Sequence, residues 1–258
     1  GWFQAVTSSG ALLAHGLIES VGLKHYKYDP RMTDIELARR HLNRVTDTLE
    51  PETNFTHIDK IMHEVLSGFD ERFHLTPSVL HRTIGDYLRN RYPRERGILK
   101  SAAEKDVPVF VPAFVDSEIG NDVYVHNQWR IGKNRGQLLM NLEGDSEKLV
   151  EMAVHAKRIA IFSIGGGVPR NNVQNVAPLI EIINARLGRK LPQRQFSDGC
   201  RIAPDKMWYG NFGGCTFDEN MSWGKMDPRG SFAEIHGDAT MILPFLVRYL
   251  IDMEARAA

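Results

Sequence analysis

This sequence predicts a doubly wound α/β fold, with a mostly parallel sheet and helices on both faces. Three observations carry that expectation. Val107-Pro-Val-Phe-Val-Pro-Ala-Phe-Val115 and Ile159-Ala-Ile-Phe-Ser-Ile164 are short apolar runs, as found in strands buried on both faces of a parallel sheet. Each run ends in a polar or glycine-rich turn, Asp116-Ser-Glu-Ile-Gly120 after the first and Gly165-Gly-Gly167 after the second. Stretches of helical pattern separate them, the alternation that right-handed crossover connections require.

The elements follow in order. Gln4-Ala-Val6 reads as the end of a strand and runs into the small polar turn Thr7-Ser-Ser-Gly10, after which Ala11 to Val21 is helix-like. Residues 24–55 are charge-rich and hold Asp29-Pro30 and Glu50-Pro51, so they read as a solvated surface excursion with a short helix near 34–42. Helices are expected at 56–72 and 77–92, the second opened by Thr76 as cap and Pro77 in the first turn. Residues 24–100 thus form a mostly helical excursion. An amphipathic helix is expected at 146–158, then the strand 159–164, then a helix over 170–187.

The chain of 258 residues is long enough for one sizeable domain, and a single domain over 1–258 is the expectation. It begins with Gly1 and enters what reads as a strand almost at once, so an N-terminally incomplete or split chain is expected, with a separate N-terminal polypeptide as one explanation. Lys plus Arg and Asp plus Glu are equal at 32 each, with no basic stripe, which argues against a nucleic-acid or membrane-surface module. No apolar run is long enough to span a membrane and no signal peptide is seen. Cys200 and Cys215 are too few for a disulfide framework, so a cytoplasmic setting is expected. The ten histidines show no metal-ligand spacing, and no metal site is expected.

Four constellations can carry chemistry. Gly166 and Gly167, between a buried strand and a helix, let a backbone approach a pyrophosphate at a helix N-terminus, although tight turns also use glycine for steric reasons alone. This is not the G-x-G-x-x-G fingerprint. Ser8, Ser9 and Gly10 form a second such turn and Asp116 opens a third; turns at one sheet edge line the crevice where ligands bind in open α/β sheets. Gly210, Asn211 and Phe212 begin a glycine-rich loop that leads through Asp218 and Glu219 to Ser222-Trp-Gly-Lys225. Lys225 reads either as a surface lysine or as a nucleophile activated by desolvation against Trp223, with carboxylates and an aromatic ring suited to a polyamine. Asp238, before Ala239, reads either as a helix N-cap or as a hydrogen-bond acceptor for a ribose. Cys215 reads as packing rather than as a nucleophile.

Taken together, Val6-Thr-Ser-Ser-Gly10, Val107 to Asp116, Ile164-Gly-Gly-Gly-Val168, Glu219 to Lys225 and Gly237-Asp-Ala239 resemble the deoxyhypusine synthase family, over nearly the whole chain. Ser222-Trp-Gly-Lys225 is the most specific element. The resemblance implies a Rossmann-like NAD-binding domain that transfers the aminobutyl group of spermidine to an acceptor amine through a lysine imine, here on Lys225. It implies NAD contacts from Ser8, Ser9, Gly10, Asp116, Gly166, Gly167, Asp238 and Ala239. It implies polyamine contacts from Gly210, Asn211, Phe212, Glu219, Trp223 and Asn171. It also implies a homotetramer with active sites at a dimer interface. The acceptor is a protein lysine in deoxyhypusine synthases and putrescine in the related homospermidine synthases.

Departures from the family pattern matter. Asn171 and Asn172 stand where a histidine pair is usual in the eukaryotic enzymes, and Leu13 and Ala14 where two glutamates hold substrate. Asn121 replaces a further aspartate, with Asp122 next to it. The variants around the Gly triplet and Gly-Gly-Cys215 resemble the bacterial branch. Transfer to a small amine and an impaired regulatory subunit therefore stand beside transfer to a protein lysine.

Overall fold

The computed structural model describes residues 2–206 and 214–257. They fall into two compact units, residues 1–145 and 146–258. The α/β class holds: strands pair in parallel in three of the four small sheets among the described residues, and the fourth is antiparallel.

In the first unit, β1 (Val6–Thr7) pairs in parallel with β6 (Val109–Phe110). The apolar run 107–115 yields only this short strand, because Pro108 and Pro112 have no N–H to donate to a ladder. Between these strands come α1 (Gly10–Ser20), β2 (Tyr26–Lys27), α2 (Asp34–Arg39), β3 (Leu42–Val45), β4 (Thr48–Pro51), α3 (Glu52–Ser67), β5 (His74–Leu75), α4 (Pro77–Arg91) and α5 (Ile98–Glu104). α6 (Glu118–Gly132) and β7 (Leu139–Met140) follow, and α7 (Leu142–His155) begins here with most of its residues in the second unit. One apolar cluster unites Leu13, Leu17 and Ile18 of α1, Ile58, Met62 and Leu66 of α3, and Leu80, Ile84 and Leu88 of α4 with Val109 and Phe114. The spacing of three or four residues within each helix is that of an apolar helix face turned to a core.

The stretch 24–55, expected as a solvated excursion with a short helix near 34–42, has that helix as α2 and adds a three-stranded antiparallel sheet, ordered β2-β4-β3. Its β3–β4 turn is the pair Thr46-Asp47, with Thr46 at φ 56°. That left-handed conformation is usually marked by Gly or Asn, so the hairpin had no glycine signal in the sequence. Nor is the whole stretch solvated, since Glu50 on the central strand is fully buried.

The second unit is built on three parallel strands, β8 (Ile159–Ile164), β9 (Phe196–Ala203) and β10 (Met226–His236), with β9 in the centre. α8 (Gly167–Gln174) and α9 (Val176–Leu187) replace the one helix expected over 170–187, with Asn175 between them. α10 (Phe217–Ser222) precedes β10, and α11 (Ala239–Ala257) ends the described chain. Ile161, Ile180, Phe196, Phe217 and Met226 form its core. No helix among the described residues is long and apolar enough to cross a membrane.

Candidate active site

Ser222-Trp-Gly-Lys225 is a helix terminator that delivers a lysine. α10 is capped at its start by Thr216, whose hydroxyl accepts from Glu219 N. At its end Gly224 adopts φ 67°, its N–H donates to Met221 O at 3.0 Å, and Lys225 N–H donates to Asn220 O at 3.1 Å. These are the two hydrogen bonds of a Schellman motif, which needs a left-handed residue at the position of Gly224. The chain then turns into β10, and Lys225 O accepts from Phe196 N, so the lysine is fixed by backbone on both sides.

The side chain of Lys225 is buried, at 7% exposure, which removes the surface-lysine alternative. Its Nζ donates to Asn171 Oδ1 at 2.7 Å and lies 5.9 Å from the centre of the Trp223 ring. Desolvation pushes its pKa below the ordinary lysine value, with Arg170 acting in the same direction and Cys215 opposing. Trp223 is 65% exposed, so the indole forms an outer flank. Asn171 is exposed, which leaves the amine one side chain from solvent.

Two buried arginines missed in the sequence support this corner. Arg170 Nη1 donates to Cys215 O at 2.7 Å, and its guanidinium lies 5.1 Å from the centre of the Phe217 ring. Burial and the neighbouring Arg201 lower the Arg170 pKa to about 10. Arg201 is fully buried and its Nη1 lies 3.4 Å from the carbonyls of Gly214 and Cys215. Glu234 Oε1 accepts from Phe217 N. Isolated arginines in a sequence carry no sign that they will be buried. Cys215 Sγ donates to Asn220 Oδ1 at 3.2 Å, a packing role as expected.

The other expected residues are distributed as follows. Asp218 and Glu219 occupy the exposed first turn of α10. Gly166 caps α8 without any side-chain hydrogen bond, and the preceding Gly165 has φ 70° with no atom within 4 Å of where a Cβ would sit. Gly167, at φ 68°, is the first residue of α8. Asp238 accepts from Thr240 N and Oγ1, the N-cap alternative, and those bonds hold its carboxyl below the ordinary range. Gly165 N and Gly237 N donate to Ile202 O and Ala203 O, so Gly166, Gly167, Asp238 and Ala239 share the edge where β8 and β10 end. Lys225 lies where β10 begins. Along the paired β9, the seven steps from Phe196 to Ala203 at about 3.3 Å each put roughly 23 Å of sheet between them. One chain does not bring the lysine to that edge.

In the first unit Ser8, Ser9, Gly10 and Asp116 do come together through the β1–β6 pair. Ser9 caps α1 without a side-chain bond, and a Cβ on Gly10 would sit 2.2 Å from Ser117 Cβ. Gly10 is therefore explained by close packing. Ser8 is buried, with its hydroxyl donated to Ser9 O, and Asp116 is exposed. Leu13 and Ala14, which replace the usual glutamates, are core residues. Gly210, Asn211 and Phe212 lie outside the described residues.

A deoxyhypusine synthase family model matches residues 1–250. The chain belongs to the deoxyhypusine synthase family. It is 28% identical to a probable deoxyhypusine synthase of Methanosarcina mazei, over 96% of this chain and 71% of that protein. It is 26% identical to one of Archaeoglobus fulgidus, over 98% of this chain and 75% of that protein. A deoxyhypusine synthase-like protein of Elusimicrobium minutum is 28% identical, over 98% of this chain and 65% of its own length. A crystal structure assigned to a deoxyhypusine synthase of Entamoeba histolytica aligns with 76% of this chain and 54% of its own, at 14% identity and a TM-score of 0.48. Deoxyhypusine synthases, the enzymes that name the family, are transferases that take the aminobutyl group of spermidine.

Proposed function

We propose that this protein transfers an aminobutyl group from spermidine to an acceptor amine through an imine on Lys225, in the manner of a deoxyhypusine synthase and with NAD as cofactor. The observation that carries the reading is the buried, pKa-lowered Lys225 amine at the end of a Schellman turn. Imine formation needs an unprotonated amine, and desolvation supplies a larger neutral fraction than bulk lysine has. Asn171 accepts one Nζ–H and so orients the amine, but an amide cannot take up a proton at neutral pH, so it is no general base. Trp223 at the outer flank offers a ring face to a cationic amine, and Asp218 and Glu219 add negative charge nearby.

Fit to NAD is supported at two turns. The helix N-termini after Ser9 and Gly166 have no side-chain caps, so their N–H groups are available to a pyrophosphate, and the space over Gly165 is clear. Ser8, Ser9, Gly10 and Asp116 at one turn, and Gly166, Gly167, Asp238 and Ala239 at the other, are the residues we assign to it. When bound, NAD supplies the hydride acceptor that oxidises the donor amine and the hydride that reduces the transferred imine.

Lys225 and that sheet edge stand apart on one chain, which favours a site completed by a second copy, in keeping with a homotetramer. Leu13 and Ala14 in the core take away two substrate carboxylates, which keeps the impaired-subunit alternative, while the variants around the Gly triplet and Cys215 favour a second reading in which the acceptor is a small amine such as putrescine. Incubating the protein with spermidine and NAD, then borohydride, should attach the aminobutyl fragment to Lys225; labelling elsewhere would sink the proposal. Lys225→Ala should abolish product while NAD still binds. Homospermidine formed only when putrescine is added would select the small-amine reading. No NADH from spermidine at all would leave the impaired-subunit alternative.

A further inference from the structure

A second constellation lies in the first unit, made of residues other than those assigned there to NAD. His15 and Glu19 are one turn apart on α1 and so share a helix face. His25 immediately precedes β2; Tyr26 pairs with Leu49, and one more step of that antiparallel register sets His25 opposite Glu50. Helix and sheet thereby converge on one buried carboxylate. His15 Nδ1 is 2.6 Å from Glu50 Oε2, and His25 Nε2 is 3.4 Å from the same oxygen. One ligand atom from each of the three lies within 4.8 Å of the others.

We propose that His15, His25 and Glu50 bind a divalent transition-metal ion, with Zn²⁺ the best match. Two imidazoles and one carboxylate are a donor set for Zn²⁺ and its neighbours and a poor one for Mg²⁺ or Ca²⁺. At Zn–ligand bonds of about 2.0–2.1 Å, the ligand atoms of a tetrahedral site stand about 3.3 Å apart. Small side-chain torsions bring the present spacings to that value.

Two further observations point to a cation rather than to a simple hydrogen-bonded trio. His25 Nδ1 lies 3.1 Å from Glu19 Oε1. With Nε2 turned to the metal, Nδ1–H would donate to Glu19, the carboxylate backing that fixes the tautomer of a metal-bound histidine. Glu50 is fully buried, yet its Oε1 has no hydrogen-bond partner among the described residues. A buried carboxylate with one unsatisfied oxygen is costly unless a cation compensates it. The His15 side chain is 29% exposed, so water can reach a fourth coordination position. Three protein ligands and an open position describe a site able to hold a water or an exchangeable ligand.

The test is Co²⁺ titration of the full chain after stripping with chelator, read as the visible absorption of four- or five-coordinate Co²⁺ and followed by displacement with Zn²⁺. One Co²⁺ per chain, displaced by Zn²⁺, is expected. His15→Gln and Glu50→Gln should lose the absorption. Glu19→Gln should weaken binding by about 10–100-fold, as for a lost metal-ligand support. His41→Gln, which removes the neighbouring exposed pair of His41 with Glu52, should leave binding unchanged. Glu50→Gln risks misfolding, whereas His15 and Glu19 both reach solvent, so their variants keep the test decisive. No Co²⁺ spectrum from the stripped wild-type protein, or unaltered affinity in folded His15→Gln, overturns the proposal.

Discussion

At the scale of single residues, Lys225 depends on a neighbour with no charge. Asn171→Asp keeps the shape of the 2.7 Å contact but sets a carboxylate against Nζ. An adjacent opposite charge raises a lysine pKa by about 1–3 units. The pH–rate profile should move to higher pH, and turnover near neutral pH should fall by at least about tenfold. An unmoved profile would show that the amine acts while protonated or that another residue forms the imine. Gly224 is the second such point. A Cβ at φ 67° costs about 1–2 kcal/mol, so Gly224→Ala should lower thermal stability by that order and misplace the lysine that follows. Preserved Tm with lost activity would mean the strain is relieved by moving Lys225 instead. The lysine itself was legible in the sequence, because Ser222-Trp-Gly-Lys225 is local. Its burial was not, since Trp223 is mostly exposed and the Asn171 side chain that meets the amine lies 54 residues away in sequence. The trio His15, His25 and Glu50 was invisible for the same reason: helix phase and hairpin register make it, and no spacing in the sequence records either.

At the scale of elements, the long periodic pieces are legible in the sequence. α3, α4, α7 and β8 fall close to their expected positions, because a core face repeated over several turns, or a continuous apolar run, is a strong signal. The short strands β2, β3 and β4 carry little apolar periodicity and a turn without glycine, so charge composition misled the reading. The α3–α6 pairing makes a prediction of its own. Asp122 on α6 is pushed up to about 7 by burial and by the charges of Asp59 on α3 and Glu118. Folding therefore binds a proton between the ordinary carboxylate pKa and about 7, and stability from this group falls as pH rises through that window. His126, one turn along α6 and lowered to about 4 by burial and His63, loses stability in the opposite direction as pH drops. The difference between variant and wild type isolates the carboxylate. Asp122→Asn should raise Tm above pH 7 and leave it nearly unchanged near pH 4. A constant Tm difference across that range would remove the charge-crowding account of α3 and α6.

At the scale of the whole molecule, α11 has no place as a lone helix. None of its described side chains is buried, and Met241, Phe245, Val247, Tyr249, Leu250, Ile251 and Met253 are all exposed. Isolated helices are marginal in water, and a row of apolar side chains of this size marks an interface. Burying one such side chain contributes about 1.5–3 kcal/mol, so the seven reach on the order of 10 kcal/mol before the cost of association. That cost is about 4–15 kcal/mol, of the same order as the gain from α11, so an assembly must draw on other surfaces too. The proposed assembly would also let a second copy bring Lys225 to the cofactor edge. Sedimentation velocity over a concentration series should show an oligomer for the wild-type protein. Phe245→Asp with Ile251→Asp should shift it to smaller species and reduce aminobutyl transfer in parallel, with Lys225 still buried as judged by its reactivity. A wild-type monomer with full activity would show that α11 serves another purpose and that one chain completes the site unaided.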